Sequence, residues 1–200
     1  MTETHIPVPV NTYDSRSGLN QNYEHLTPED VDHFLTKGWL RVPGAIKQEY
    51  IDQWLQDLWV RVDYDEHDKS TWHTDYLHLP RHREVPAEEF APEAWNKIIE
   101  VCGGEDNIDP VRERYYGDAF IINFGSAEKT AQQEESRPQD MEGWHTDDDW
   151  YRMFLDSAGN GLTVIHVFTD IPRRGGGTWV CEDGIEGDDP WSCTMRSDVR

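Results

Sequence analysis

The chain has 200 residues, 18 of them Lys or Arg and 40 of them Asp or Glu, for a formal charge of −22. That length fits one domain with enough chain for a core, and that charge lacks the basic footprint a nucleic-acid binder needs and repels anionic membranes. No apolar run reaches the roughly 18 residues of a membrane span, and the opening MTETHIPVPV has neither the basic nor the apolar region of a signal peptide, so a soluble, cytoplasmic protein is expected.

The hydrophobic fraction of 36% is low, but nine Trp, eight Tyr and six Phe supply bulky core material. Cys102, Cys181 and Cys193 are odd in number and form no CxxC. A disulfide scaffold and a Cys-type zinc site are therefore not expected, and reduced thiols are.

Residues 1–24 show no periodicity and read as an extended arm before a single domain over 25–200. The first helix is expected in LTPEDVDHFLTKG. Thr27 can cap it, Pro28 suits its first position, Asp30 completes a capping box and Gly38 can stop it. WLRVPG reads as a short strand ended by Pro43 and Gly44. A second helix follows from Ile51, Trp54, Leu55, Leu58, Trp59 and Val62, which recur at steps of three and four. A third runs from about Pro92 to Cys102, with Trp95, Ile98, Ile99 and Cys102 on one face and Gly103-Gly104 behind it. Beyond residue 110 the compact runs DAFIINFG, LTVIHVFTDIP and GGGTWVCED read as strands. Helices first and strands after suggest an α+β domain, its helices packed outside a sheet or barrel.

Trp-His-Thr-Asp occurs twice, at 72–75 and 144–147. In a strand, residues i and i+2 share a face, so His and Asp in that spacing can reach one cation. Two imidazoles and a carboxylate with open positions opposite suit non-haem Fe(II) oxygenases. The second copy follows a strand and an acidic loop and precedes a strand pair closed at Gly175-Gly176-Gly177, as a barrel-mouth site would. The first copy lies between two helices among His67, His73, His78 and His82. It is either a second metal cluster or a polar connector whose histidines pack on aromatics or face water. Its spacing matches no zinc pattern, which favours the connector. Asp147, Asp148 and Asp149 lack EF-hand spacing. RRGGGTW opens no helix and reads as a turn rather than a phosphate loop, and no GxSxG is present.

HLTPEDVDHFLTKGWLRVPGAI resembles the opening of the phytanoyl-CoA dioxygenase family. GWHTDDDW followed by GLTVIHVFTDIPRRGGGTWV resembles the same family's metal-binding segment and the strands after it. The resemblance covers roughly residues 25–181. It implies N-terminal helices packed on a double-stranded β-helix (jelly-roll) core, Fe(II) as metal, 2-oxoglutarate as co-substrate, and oxidation of a small molecule such as a lipid or secondary metabolite. By motif match it makes His145 and Asp147 iron ligands. Trp144 and Trp150 either line the site or pack as core.

The family's third ligand is a distal His, with an Arg beyond it for the 2-oxoglutarate carboxylate. After Asp147 this chain has only His166, early in an apolar run, where a packed or outward-facing strand histidine is the simpler reading. Arg173, Arg174, Arg196 and Arg200 are carboxylate partners only by default. A jelly roll needs about eight strands, and the sequence shows fewer, so the C-terminal strands are expected to be missing and the core partial. Two alternatives follow: a catalytically inactive fragment or pseudoenzyme lacking the distal His and Arg, and a zinc hydrolase using His145, Asp147 and His166. Open strand edges would also invite pairing with a second copy as a homodimer.

Overall fold

The computed structural model describes residues 22–126, 128, 131, 137–140, 143–145, 147, 161–172 and 175–182. Most of the arm at 1–24 lies outside them, as do Asp148, Asp149, Trp150, Arg173, Arg174, Cys193, Arg196 and Arg200.

Helix α1 spans Pro28–Lys37. The capping box forms as expected: the Thr27 side chain accepts the Asp30 N–H and the Asp30 side chain accepts the Thr27 N–H. Such a cap contributes about 1 kcal/mol. Gly38 ends the helix at φ 76°, donating its N–H to the Phe34 carbonyl. Helix α2 spans Gln48–Val62 and buries Trp54 and Leu58. The short α3 spans Ala87–Phe90, and α4 spans Pro92–Val101, burying Trp95. Polar contacts dock α1 on α4. The Lys97 ammonium meets Asp30 at 2.6 Å, and the Glu100 carboxylate accepts the backbone N–H groups of Glu24, His25 and Leu26.

Four short strands complete the fold and are interleaved with the helices rather than following them as expected: β1 (Tyr76–His78) and β2 (Glu84–Pro86) lie between α2 and α3, and β3 (Tyr115–Gly117) and β4 (Ile121–Asn123) come after α4. β1 pairs antiparallel with β4, Leu77 opposite Ile122, and β2 with β3, Val85 opposite Tyr116. The two pairs are pieces of one ribbon, since bonds from Leu79 N–H to Phe120 O (2.8 Å) and from Asp118 N–H to Arg83 O (3.3 Å) continue the ladder between them. Residues 79–83 there oppose residues 118–120, so the first strand carries two extra residues as a bulge.

The core lies between α2 and this ribbon: Trp54, Leu58, Phe90, Ala91 and Phe120, flanked by Leu79, Val85, Tyr116, Ile122 and Phe168. Ala87, Trp95 and Ile108 make a smaller cluster behind α4. The fold is mixed α+β, with small antiparallel sheets. No jelly-roll core is present among the described residues.

The strand expected in WLRVPG does not form. Residues 43–44 turn instead, with Gly44 at φ 66°. DAFIINFG yields only the three residues of β4. LTVIHVFTDIP and GGGTWVCED join no sheet among the described residues, although burial alternates over four residues of the former: His166 and Phe168 turn inward, and Ile165 and Val167 outward, while residues 162–164 are all exposed. Phe168 stacks on Trp54 with centroids 5.8 Å apart and meets Phe120 edge-on at 4.9 Å. The glycine run does turn, Gly175 donating to the Pro172 carbonyl. Gly176, at φ 83°, sits where any Cβ would collide with the Asn123 side chain. Past it, Glu182 accepts from Trp39 Nε1 and Lys37 Nζ, tying this segment to the end of α1. Cys102 is a free thiol but Cys181 is disulfide-bonded, so the expectation of reduced thiols fails there. An odd cysteine count argues against a scaffold of bridges, not against one bridge. Among the described residues no helix is long and apolar enough to cross a membrane.

Candidate metal centre

His145 and Asp147 come together in an exposed turn. His145 Nδ1 lies 2.7 Å from the Gly143 carbonyl oxygen. A carbonyl only accepts, so Nδ1 carries the hydrogen and Nε2 keeps its lone pair in the neutral ring. Nε2 lies 3.7 Å from Asp147 Oδ1, too far for a hydrogen bond. The other carboxylate oxygen, Oδ2, accepts from the Thr163 hydroxyl at 2.8 Å. Each potential ligand is thus held by its rear atom, and among the described residues its front atom makes no hydrogen bond, the usual arrangement around protein metal ligands. The side chains are 62% and 57% exposed, so the dyad opens to solvent.

One imidazole nitrogen and one carboxylate oxygen fit a borderline divalent cation such as Fe(II). No group of three or more His, Cys, Asp or Glu is arranged to hold a metal among the described residues. His166 is not brought to the dyad. Its ring lies edge-on to Tyr116 at 4.2 Å and to Phe90 at 5.3 Å. Burial pushes its pKa down from 6.5 to about 4, which leaves a neutral ring inside the core. Thr163, three residues earlier, is exposed and meets Asp147, so the segment turns its hydroxyl and the His166 ring to different surroundings.

The first Trp-His-Thr-Asp is built differently. Trp72 stacks on Trp59 at 5.8 Å, packs against Phe124 at 5.1 Å, and donates Nε1–H to the Asp65 carbonyl. His73 lies edge-on to Tyr64 at 5.6 Å. The Asp75 carbonyl accepts the Phe124 N–H, and His78 Nε2 lies 2.6 Å from the Tyr76 hydroxyl. These contacts make it an aromatic connector that fastens the end of α2 to β4. Tetrapeptide identity therefore carries no shared role, because the neighbours of each copy decide what its side chains touch.

Sequence reasoning did not single out Thr163 or the Gly143 carbonyl. The available signal was slight: a hydroxyl residue near the start of an apolar run, and a glycine two residues before the histidine.

No family model, no curated protein and no solved structure matches this chain.

Proposed function

We propose that this chain is an Fe(II)- and 2-oxoglutarate-dependent dioxygenase of phytanoyl-CoA dioxygenase type, acting in the cytoplasm on a small organic substrate such as a lipid or secondary metabolite. The observation that carries the reading is the pair of oriented donors, His145 Nε2 and Asp147 Oδ1, 3.7 Å apart with their rear atoms anchored. His145 and Asp147 would hold the iron. Bound there with 2-oxoglutarate, it would supply the oxidising chemistry. The chain's own part is to present an imidazole nitrogen and a carboxylate oxygen side by side, each with its rear atom hydrogen-bonded. The reading also supposes a double-stranded β-helix frame around that turn.

A second reading, a catalytically silent chain that acts by binding, is favoured by one observation: His166 is committed to the core beside Tyr116 and Phe90. The same observation weighs against a zinc hydrolase using His145, Asp147 and His166, which needs that ring at the dyad.

Anaerobic titration of the full chain with Fe(II) and then 2-oxoglutarate separates the readings. The dioxygenase reading expects the visible charge-transfer band of the chelate and succinate release on admitting oxygen. Iron binding with neither signal would leave the silent reading. Zinc retained in preference to iron, without 2-oxoglutarate turnover, would favour the hydrolase.

A further inference from the structure

We infer that Thr163 is a positioning residue for the metal dyad, holding Asp147 so that a single oxygen, Oδ1, is offered beside His145. The inference rests on the metal reading above and adds to it a determinant of how the carboxylate binds.

A carboxylate on an exposed turn can rotate, and it can offer a cation one oxygen or two. The Thr163 hydroxyl donates into Oδ2 at 2.8 Å, which takes one of that oxygen's lone pairs and fixes the carboxylate's rotation, with Oδ1 3.7 Å from His145 Nε2. Monodentate binding matters for the chemistry proposed, because a bidentate carboxylate would take one of the coordination positions that co-substrates need. A hydroxyl suits this task better than a cation would. It orients the carboxylate without neutralising the charge that attracts the metal.

Thr163 can do this because of what lies behind it. Asp147 precedes it by sixteen residues, so the bond is a tertiary tie rather than a local turn. Three and five residues further on, His166 and Phe168 are seated against Tyr116, Phe90, Trp54 and Phe120. Thr163 is thus an outward-facing hydroxyl on a segment anchored in the core, and the exposed turn borrows its rigidity from that anchor.

The test uses anaerobic Co(II) titration of the full chain, reading both affinity and the intensity of the visible d–d bands, which falls as coordination number rises. Thr163→Val removes the hydroxyl at constant shape, and Thr163→Ser keeps it. Because Thr163 is exposed, both variants are expected to unfold at the wild-type temperature. Thr163→Val should bind Co(II) about 10-fold more weakly or worse and give weaker bands, while Thr163→Ser stays near wild type. Wild-type affinity and bands in Thr163→Val, with binding still lost in His145→Ala, would overturn the positioning role and leave the metal reading standing. Equal weakening in Val and Ser variants would overturn it too, since the hydroxyl would not be the cause. Unchanged Co(II) binding in His145→Ala would instead sink the metal reading, and this inference with it.

Discussion

The guanidinium of Arg61, on α2, donates at 3.1 Å to both the carboxylate and the backbone carbonyl of Asp118. Asp118 is 2% exposed, and its other carboxylate oxygen accepts the N–H groups of His82 and Arg83. Arg83 also reaches it through Nε and pairs outward with Asp57 of α2. One carboxylate thus satisfies the backbone that the bulge strips of ladder partners and fastens the bulge to the helix. Removing it would strand two partly buried N–H groups and leave two guanidinium groups short of a counter-charge. Asp118→Ala is therefore expected to cost about 3 kcal/mol, with Asn in between because its oxygen can still accept the two N–H groups. Urea denaturation with an unchanged m-value checks this.

The same carboxylate makes stability depend on acid. Burial alone would raise the Asp118 pKa, but the hydrogen bonds from Arg83 and His82 and the charges of Arg61 and Arg83 outweigh it and hold it below 3.8. A group whose pKa is lowered on folding stabilises above its unfolded value, and that stability is lost as pH falls through the folded value. Asp30 and Glu100, which join α1 to α4, are lowered as well. Stability should fall as pH drops below about 4. Asp118→Asn should flatten that fall without abolishing it; an unchanged slope would mean Asp118 is not among the groups responsible.

His166 adds a separate window at higher pH. Its folded pKa of about 4 lies below the ordinary 6.5, so the unfolded chain binds the proton first. The stability it contributes is full above 6.5 and is lost as pH falls toward 4. His166→Leu should remove that slope. It should also leave Co(II) affinity unchanged, since the ring sits between Tyr116 and Phe90 and not at the dyad. A variant as stable as wild type at neutral pH that nonetheless loses metal binding would make His166 a ligand after all.

How much of this was readable in the chain depends on how local each cause is. The boundaries of α1, and the presence of α2 and α4, follow from capping residues and three-to-four spacing within single stretches. Strands β1, β2 and β3 were not anticipated, because three residues are too few to show alternation. Their pairing joins Tyr76 to Asn123 and Glu84 to Gly117 across long separations. WLRVPG had strand-like composition but found no partner strand, and composition alone does not make a ladder. The dyad was legible because His145 and Asp147 lie two apart. Thr163 was not, because its only relation to Asp147 is tertiary. The different surroundings of the two Trp-His-Thr-Asp copies followed from their flanks: helices around the first, which packs on aromatics, and apolar runs around the second, which lies exposed.

That separation predicts opposite phenotypes for equivalent substitutions. His145→Ala should abolish Fe(II) and Co(II) binding with little effect on unfolding, because the side chain is exposed. His73→Ala should leave metal binding intact. Trp72→Ala should also spare it, while costing about 2–3 kcal/mol through lost packing on Trp59 and Phe124. Metal titration and thermal unfolding of the three variants in parallel decide the matter, and metal loss in His73→Ala would exchange the roles assigned to the copies.

The apolar run after the His145–Asp147 dyad offers the sharpest contrast within one segment. Phe168 is stacked on Trp54 and edge-on to Phe120, and its loss would open a cavity at the point where the run meets the core. Ile165 and Val167, on the other parity, are 57% and 55% exposed. Phe168→Ala should therefore cost about 3 kcal/mol, whereas Ile165→Thr and Val167→Thr should stay within about 0.5 kcal/mol of wild type. Because Thr163 is carried by the same run, Phe168→Ala should also weaken Co(II) binding although Phe168 touches neither ligand, and the outward substitutions should not. Chemical denaturation and metal titration on the same three variants give both readouts. Equal costs at positions 165, 167 and 168 would mean that the run is covered on both faces in solution, and that its alternation does not seat the dyad.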